Sequence, residues 1–287
     1  MPYTTVRLLR NISLFLVVAL LSTALGQTTL ERAREQGFVR VGFANEVPYA
    51  YAQPDGTLTG QAVEVARVIF ERLGIPEMDG VVTEFGSLIP GLQARRFDVI
   101  TAGMYITPVR CEQVLFADPE YSIGEGLIVN AGNPLSLTSY EDIAANPDVR
   151  VGTGIGWLEF DYMVAVGVDE SQIVTFPDGP SGVAGLQSGR IDAFTGTGPT
   201  MTELVRVAND SNIELVADFQ DPVVDGEAIR SYGAAAFHRD DADFRDAFNE
   251  ELHALRESGE LLEIISEFGF TEAELPGDMT AAELCGE

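Results

Sequence analysis

Five side chains in this sequence could together hold a small charged molecule: Glu46, Tyr49, Phe85, Tyr105 and Arg110. The rings fall in Asn45-Glu46-Val47-Pro48-Tyr49, in Glu84-Phe85-Gly86, and five residues before Arg110. Each lies at or just past a segment that reads as a strand, and open α/β sheets place ligands beyond strand ends. Ring faces attract a weakly hydrated cation. A carboxylate pairs the same cation, and a guanidinium holds an anionic carboxylate through two parallel bonds. The set therefore describes a site for a small zwitterion with a spread-out positive charge. Each residue also has a plainer reading: a core aromatic, a surface ion pair for Arg110, a turn cap for Glu46.

The elements needed to position these residues alternate between strand and helix along the chain, the pattern of an α/β protein. Strands are expected at Phe38–Ala44, Val81–Phe85 and Val99–Ala102, with helices at Gln61–Leu73 and Leu88–Ala94. Val65, Ile69 and Leu73 form one row of the first helix, and Gly74 stops it. A second unit is expected from Leu127, with strands near Leu127–Asn130, Val149–Gly152, Ile173–Phe176, Ala193–Thr195 and Glu214–Ala217. Its helices are Ser139–Ala145, opened by a Ser-x-x-Asp cap, then Leu158–Ala165, Ser181–Ser188 and Met201–Ala208. The chain then returns through a strand at Gly233–Phe237 and a long helix at Ala242–Ser258, with Phe244, Phe248, Leu252 and Leu255 on one face. Two α/β units without a flexible linker imply two crossings, near Gly126 and Tyr232, and closure like a hinge over a central cleft. In the second unit Gly154, Gly156 and Trp157 are expected to offer backbone N–H groups to an anion at the start of a helix. The Gly152-x-Gly154-x-Gly156 spacing is a weak nucleotide-loop signal by itself. Thr195 and Thr197 could bind a ligand or satisfy their own backbone, and Trp157 could line the cleft or pack between the lobes.

The 287 residues suffice for two cores. An export signal is expected over residues 1–26: Arg7 and Arg10 precede an apolar run from Ile12 to Leu21, then small residues to Gly26. The mature chain is expected to be periplasmic or otherwise extracytoplasmic. Net charge is -28, more negative still once Arg7 and Arg10 leave. Such a surface excludes nucleic acid and anionic lipid as natural partners and suits a protein kept soluble at high salt. Two cysteines, Cys111 and Cys285, could bridge in an oxidising compartment or remain thiols. With His238 and His253 they show no metal-ligand spacing, so neither a metal nor another cofactor is expected.

The run Val41-Gly42-Phe43-Ala44-Asn45-Glu46, the segments Phe97-Asp98-Val99-Ile100-Thr101-Ala102-Gly103-Met104 and Ile106-Thr107-Pro108-Val109-Arg110, and the late Gly233-Ala234-Ala235-Ala236-Phe237 together resemble the polar amino-acid-type binding proteins of ABC importers. The resemblance covers the whole mature chain. Within that family the sequence is most similar to ectoine and hydroxyectoine binding proteins: Glu46, Tyr49, Phe85, Tyr105 and Arg110 match their acid, three aromatics and carboxylate-binding arginine. Tyr105 stands where amino-acid binders usually carry Ser or Thr, and Thr197 where they usually carry Asp; Trp157 replaces a frequent Thr. The resemblance implies an α/β, two-lobe type II periplasmic-binding-protein fold with a hinge and a central ligand cleft. Lobe 1 would comprise residues 27–126 plus 233–287, and lobe 2 residues 127–232. It further implies a monomeric receptor that performs no chemistry and delivers ectoine or hydroxyectoine to a membrane permease and its ATPase. The ligand-binding set would be Glu46, Tyr49, Phe85, Gly103, Tyr105, Arg110, Gly156, Trp157 and Thr197. A receptor for polar amino acids, or a dehydratase of prephenate-like acids using Glu46, are the alternatives.

Overall fold

The computed structural model describes residues 26–224 and 227–287, so the expected export signal lies, except for Gly26, outside the described residues. A six-stranded sheet and a five-stranded sheet form the frame. In the first, the order is Glu77–Val82, Phe38–Phe43, Val99–Tyr105, Ser231–Phe237 and Leu115–Phe116, with Tyr121–Ile123 also pairing to Ser231–Phe237. In the second, the order is Ile173–Phe176, Val151–Gly154, Ala193–Thr197, Glu125–Asn130 and Ile213–Leu215. Three neighbouring strands are parallel in each sheet, and the fourth runs antiparallel to them. The result is a mixed α/β fold of two lobes.

The chain changes sheet at Gly124, between Ile123 and Glu125, and returns between Leu215 and Ser231. Both boundaries differ slightly from expectation. Glu125 and Gly126 already pair with Thr197 and Gly196 in the second sheet, whereas Tyr232 pairs with Ser122 in the first. An extended crossing segment satisfies its backbone groups by joining a ladder as soon as it reaches either lobe. At Gly124 a Cβ would stand 2.5 Å from Asp221 Oδ1, so a side chain there would displace the carboxylate that accepts from Glu125 N.

The first lobe is built around helix packing on its sheet. Val65, Ala66, Ile69 and Phe70 of the Gln61–Arg72 helix are buried, as are Phe244, Phe248, Leu252 and Leu255 of the Ala242–Ser258 helix. Phe70 meets Phe244 and Phe248 with ring centroids 5.8 Å apart in both cases, where tilted pairs add to area burial. The Gly259 turn, in the left-handed conformation, ends the long helix, and a further helix, Glu260–Ser266, buries Leu261 and Ile265. A disulfide joins Cys111 to Cys285, with Cα atoms 5.7 Å apart. It ties the C-terminal helix Ala281–Cys285 to the short Pro108–Cys111 helix.

One strand lies earlier than its residues suggest. Val81–Phe85 is β-rich in composition, yet the strand is Glu77–Val82, in register from Phe38↔Glu77 to Phe43↔Val82. The ladder stops where its partner stops, and Phe85 opens a 3₁₀ turn instead.

Candidate ligand-binding site

The two lobes meet over a cavity lined by Glu46, Tyr49, Phe85, Gly103, Tyr105, Arg110, Trp157, Leu158, Glu159 and Thr197. Its residues come from the carboxyl ends of parallel strands. Phe43 leads to Glu46 and Tyr49, Val82 to Phe85, and Gly154 to Trp157, while Tyr105 and Thr197 end their own strands.

Tyr49 is 2 % exposed, and its ring stacks on Tyr121 at 5.3 Å with Phe270 edge-on at 5.9 Å. One face is therefore core, and the cavity receives the rest. Beneath it lies Gly103, at φ +61°; a Cβ there would come within 2.5 Å of the Tyr49 ring, so both conformation and space require glycine. Tyr121 donates from its hydroxyl to the Gly103 carbonyl at 2.7 Å, fixing this floor. Tyr105 is 5 % exposed, and its hydroxyl has no hydrogen-bond partner among the described residues.

Arg110 is placed by a Thr-Pro helix start. Thr107 Oγ1 accepts from Arg110 N at 3.3 Å, with Pro108 in the first turn. The guanidinium donates to the Tyr105 carbonyl at 2.8 Å and to the Gly156 carbonyl at 3.1 Å, and it lies 5.7 Å from the Phe85 ring centre. Burial lowers its pKa, while the nearby Glu159 charge opposes that shift. Glu46 accepts from Thr200 Oγ1 at 2.9 Å. Burial pushes its carboxyl up to about 8, against the Thr200 hydrogen bond and with a smaller push from Glu159.

Several contacts span the cleft. Tyr49 donates to Thr197 Oγ1 at 3.0 Å, Thr197 to Thr200 at 3.0 Å, and Thr200 to both Glu46 and the Val47 carbonyl. Arg110 reaches Gly156, and a Cβ on Gly156 would stand 2.8 Å from Gly86 Cα. The lobes are thus closed on one another.

The second lobe departs from expectation in two respects. Gly156 does not line the cavity; it lies in a groove beneath Phe85 and Met104. Its loop also supplies no row of free donors, because Trp157 N–H bonds the Gly154 carbonyl at 3.1 Å and Ile155 N–H the Phe176 carbonyl at 2.8 Å. The loop turns its Gly156 carbonyl to Arg110 instead. Thr197 lines the cavity, but its hydroxyl caps the Gly198–Ala208 helix. Trp157 both lines the cavity and packs on Phe194 at 6.0 Å.

Two acidic residues escaped the sequence reading. Glu159 is 2 % exposed and lines the cavity; Glu125 is 8 % exposed beside it. Burial raises the pKa of both, and the Glu159 charge raises Glu125 further. Glu159 reads in sequence as an ordinary acid of a helical first turn, and nothing local marks it otherwise. Thr200 was equally hidden, three residues into a helix. No group of three or more His, Cys, Asp or Glu among the described residues could hold a metal ion.

A closed two-lobe clamp with an acid, an arginine and rings at its strand ends defines the class of hinged solute receptors. The chain matches the bacterial extracellular solute-binding proteins, family 3, over residues 39–271, and it belongs to that family. Its fold is similar to the crystal structure of EhuB in complex with hydroxyectoine: 41 % identity, TM-score 0.81, covering 90 % of this chain and 97 % of that one. A probable amino-acid ABC transporter periplasmic-binding protein, y4tE of Sinorhizobium fredii (strain NBRC 101917 / NGR234), is 40 % identical over 264 residues, 91 % of this chain and 87 % of the relative. The ancestral amino acid-binding protein AncCDT-1, a precursor of cyclohexadienyl dehydratase, shares the fold at TM-score 0.73 and 24 % identity, covering 84 % of this chain and 99 % of that one.

Proposed function

We propose that this protein is the extracytoplasmic receptor of an ABC importer and captures ectoine or hydroxyectoine. The observation that carries the reading is the convergence of Tyr49, Phe85 and Tyr105 with Glu46 and Arg110 on one cavity between the lobes. Ectoine is a cyclic zwitterion whose amidinium shares its charge over two nitrogens. Each ring contact to such a cation contributes roughly 0.5–2 kcal/mol, the upper end when water is excluded. Arg110, lining the cavity, is the partner for the ligand carboxylate, and Glu46 for a ring N–H. The similarity to EhuB with hydroxyectoine supports the same ligand class.

A compact primary ammonium fits less well. Thr197 stands where an acid would be needed, and its hydroxyl is already engaged by Tyr49 and Thr200. Closure excludes water from the charged contacts, which strengthens them. Calorimetric titration of the mature protein with ectoine, hydroxyectoine, glutamine and histidine tests the assignment. Saturable heat from ectoine or hydroxyectoine supports it, and heat from the amino acids alone refutes it.

A further inference from the structure

The two lobes carry charge of the same sign. Residues 27–124 and 231–287 hold 28 acidic side chains against 11 arginines, and residues 125–230 hold 17 against four; the chain has no lysine. The formal charges are thus -17 and -13. Burial raises the carboxyls of Glu46, Glu120, Glu125 and Glu159, which removes at most four of these charges. Among the described residues every ion pair joins two groups of one lobe: Arg150–Asp192 and Arg206–Glu203 in the second, the others in the first. The charged groups that reach across the cleft meet neutral partners, as in Thr200 to Glu46 and Arg110 to the Gly156 carbonyl. The charges of Glu159 and Asp161 act favourably on Arg110, a local exception. Beside the Gly124 crossing, Glu274 of the first lobe shares a groove with Glu125 and Asp221 of the second, and no Arg or His stands on its walls. A second groove between the lobes holds Glu46 with Asp178 and Glu203, again without a base.

Bringing like charges together costs free energy that counterions reduce. Closure must do that work, so the closed population, and with it the apparent affinity, falls when screening is weak. We infer that like charge on the lobes makes ligand capture depend on ionic strength, salt promoting closure by screening one lobe from the other. The inference rests on the reading of this chain as a receptor that closes on its ligand, and not on which solute it takes. The screening length is about 30 Å at 10 mM salt, about 8 Å at 150 mM and about 3 Å at 1 M. Affinity is therefore expected to rise about tenfold or more between 10 mM and 1 M, with most of the gain below about 200 mM.

The test is calorimetric titration of the mature protein with ectoine and hydroxyectoine in NaCl and in KCl, from the lowest concentration at which circular dichroism matches that at 1 M. A second protein carries Glu141→Lys, Asp148→Lys, Glu170→Lys and Asp218→Lys. These are exposed acids of the second lobe whose side chains make no hydrogen bond or ion pair among the described residues. Each exchange changes the charge by two, so the second lobe goes from -13 to -5. The salt response of this variant, read as log affinity, should shrink by more than half, and both proteins should bind alike at 1 M. Affinity that is flat or falls with salt, a rise confined to one of the two cations, or an undiminished response in the folded variant overturns the inference. Small-angle scattering of the ligand-free protein separates it from the ligand assignment. Compaction with salt supports the inference even where neither solute binds, whereas an unchanged profile together with no binding overturns both.

Discussion

The Glu46 carboxyl makes affinity for a cationic ligand depend on pH, with a sign that the structure fixes. In the closed cleft this acid is pushed up to about 8 by burial, and Glu159 adds to the push. Below that pH it is mostly neutral. A ligand amidinium favours the ionised form and draws the pKa back toward the ordinary carboxylate range. Binding near pH 6.5 should therefore release close to one proton from Glu46. If the complex stays ionised throughout, affinity should rise about fifty-fold from pH 6 to pH 8 and then level off. The other titratable groups around the cavity are Glu125, Glu159, Tyr105, Tyr49 and Arg110, so the informative quantity is the difference between wild type and Glu46→Gln. Titrations in two buffers of unlike ionisation enthalpy read the released proton directly. The Gln variant should bind more weakly at pH 8 and lose most of the pH dependence. Identical pH profiles in the two proteins would refute the reasoning, because Glu46 would then already be ionised before the ligand arrives.

Two further outcomes concern stability. Glu120 is fully buried, accepts from Gln61 Nε2 at 3.1 Å and Ala235 N at 3.2 Å, and is raised by burial to about 8. The folded chain holds a proton there that the unfolded chain releases above about 4.3, so stability from this group falls as pH rises between those values. Glu120→Gln should flatten part of the fall in Tm between pH 5 and pH 8, and an unchanged slope in thermal melts would count against it. The Cys111–Cys285 bridge closes a loop with a sequence separation of 174, for which the chain-entropy account gives on the order of 5 kcal/mol. Replacing both cysteines by Ser should lower Tm by about 10 °C or more and weaken ligand binding through the neighbouring Arg110. A melt indistinguishable from wild type would remove the bridge from the account.

What could be read from the sequence follows from how far apart the interacting groups are. Glu46, Tyr49 and Arg110 stand just beyond strands whose residues announce them, so their shared position at the cleft follows from local pattern plus the rule for parallel sheets. The start of the Gly198–Ala208 helix was also legible, since Thr197-Gly198-Pro199 is a cap followed by an early proline, yet hydrophobic spacing alone put the start at Met201. Phe85 was placed in a strand because composition cannot say where a partner ladder ends. The second lobe was the least legible. Gly156 looked like a donor-rich loop, and only its approach to Arg110, which lies far away in sequence, decides that it presents a carbonyl. Thr200 meets Glu46 across 154 residues, and Glu159 finds Glu125 only once the helix after Trp157 docks on the crossing strand. These contacts exist because the lobes close or pack, and no window of sequence contains both partners. The division has a functional consequence. The first lobe supplies the acid, the arginine and the rings from strand ends set by local sequence, so it can recognise the ligand before closure. Second-lobe groups such as Glu159 meet the first-lobe residues in the cavity only on closure, and any preference they impose is expressed after the first encounter. On that basis, substitutions at Tyr49 or Arg110 should act on capture itself, whereas those at Glu159 or Thr200 should act on how long the closed complex lasts.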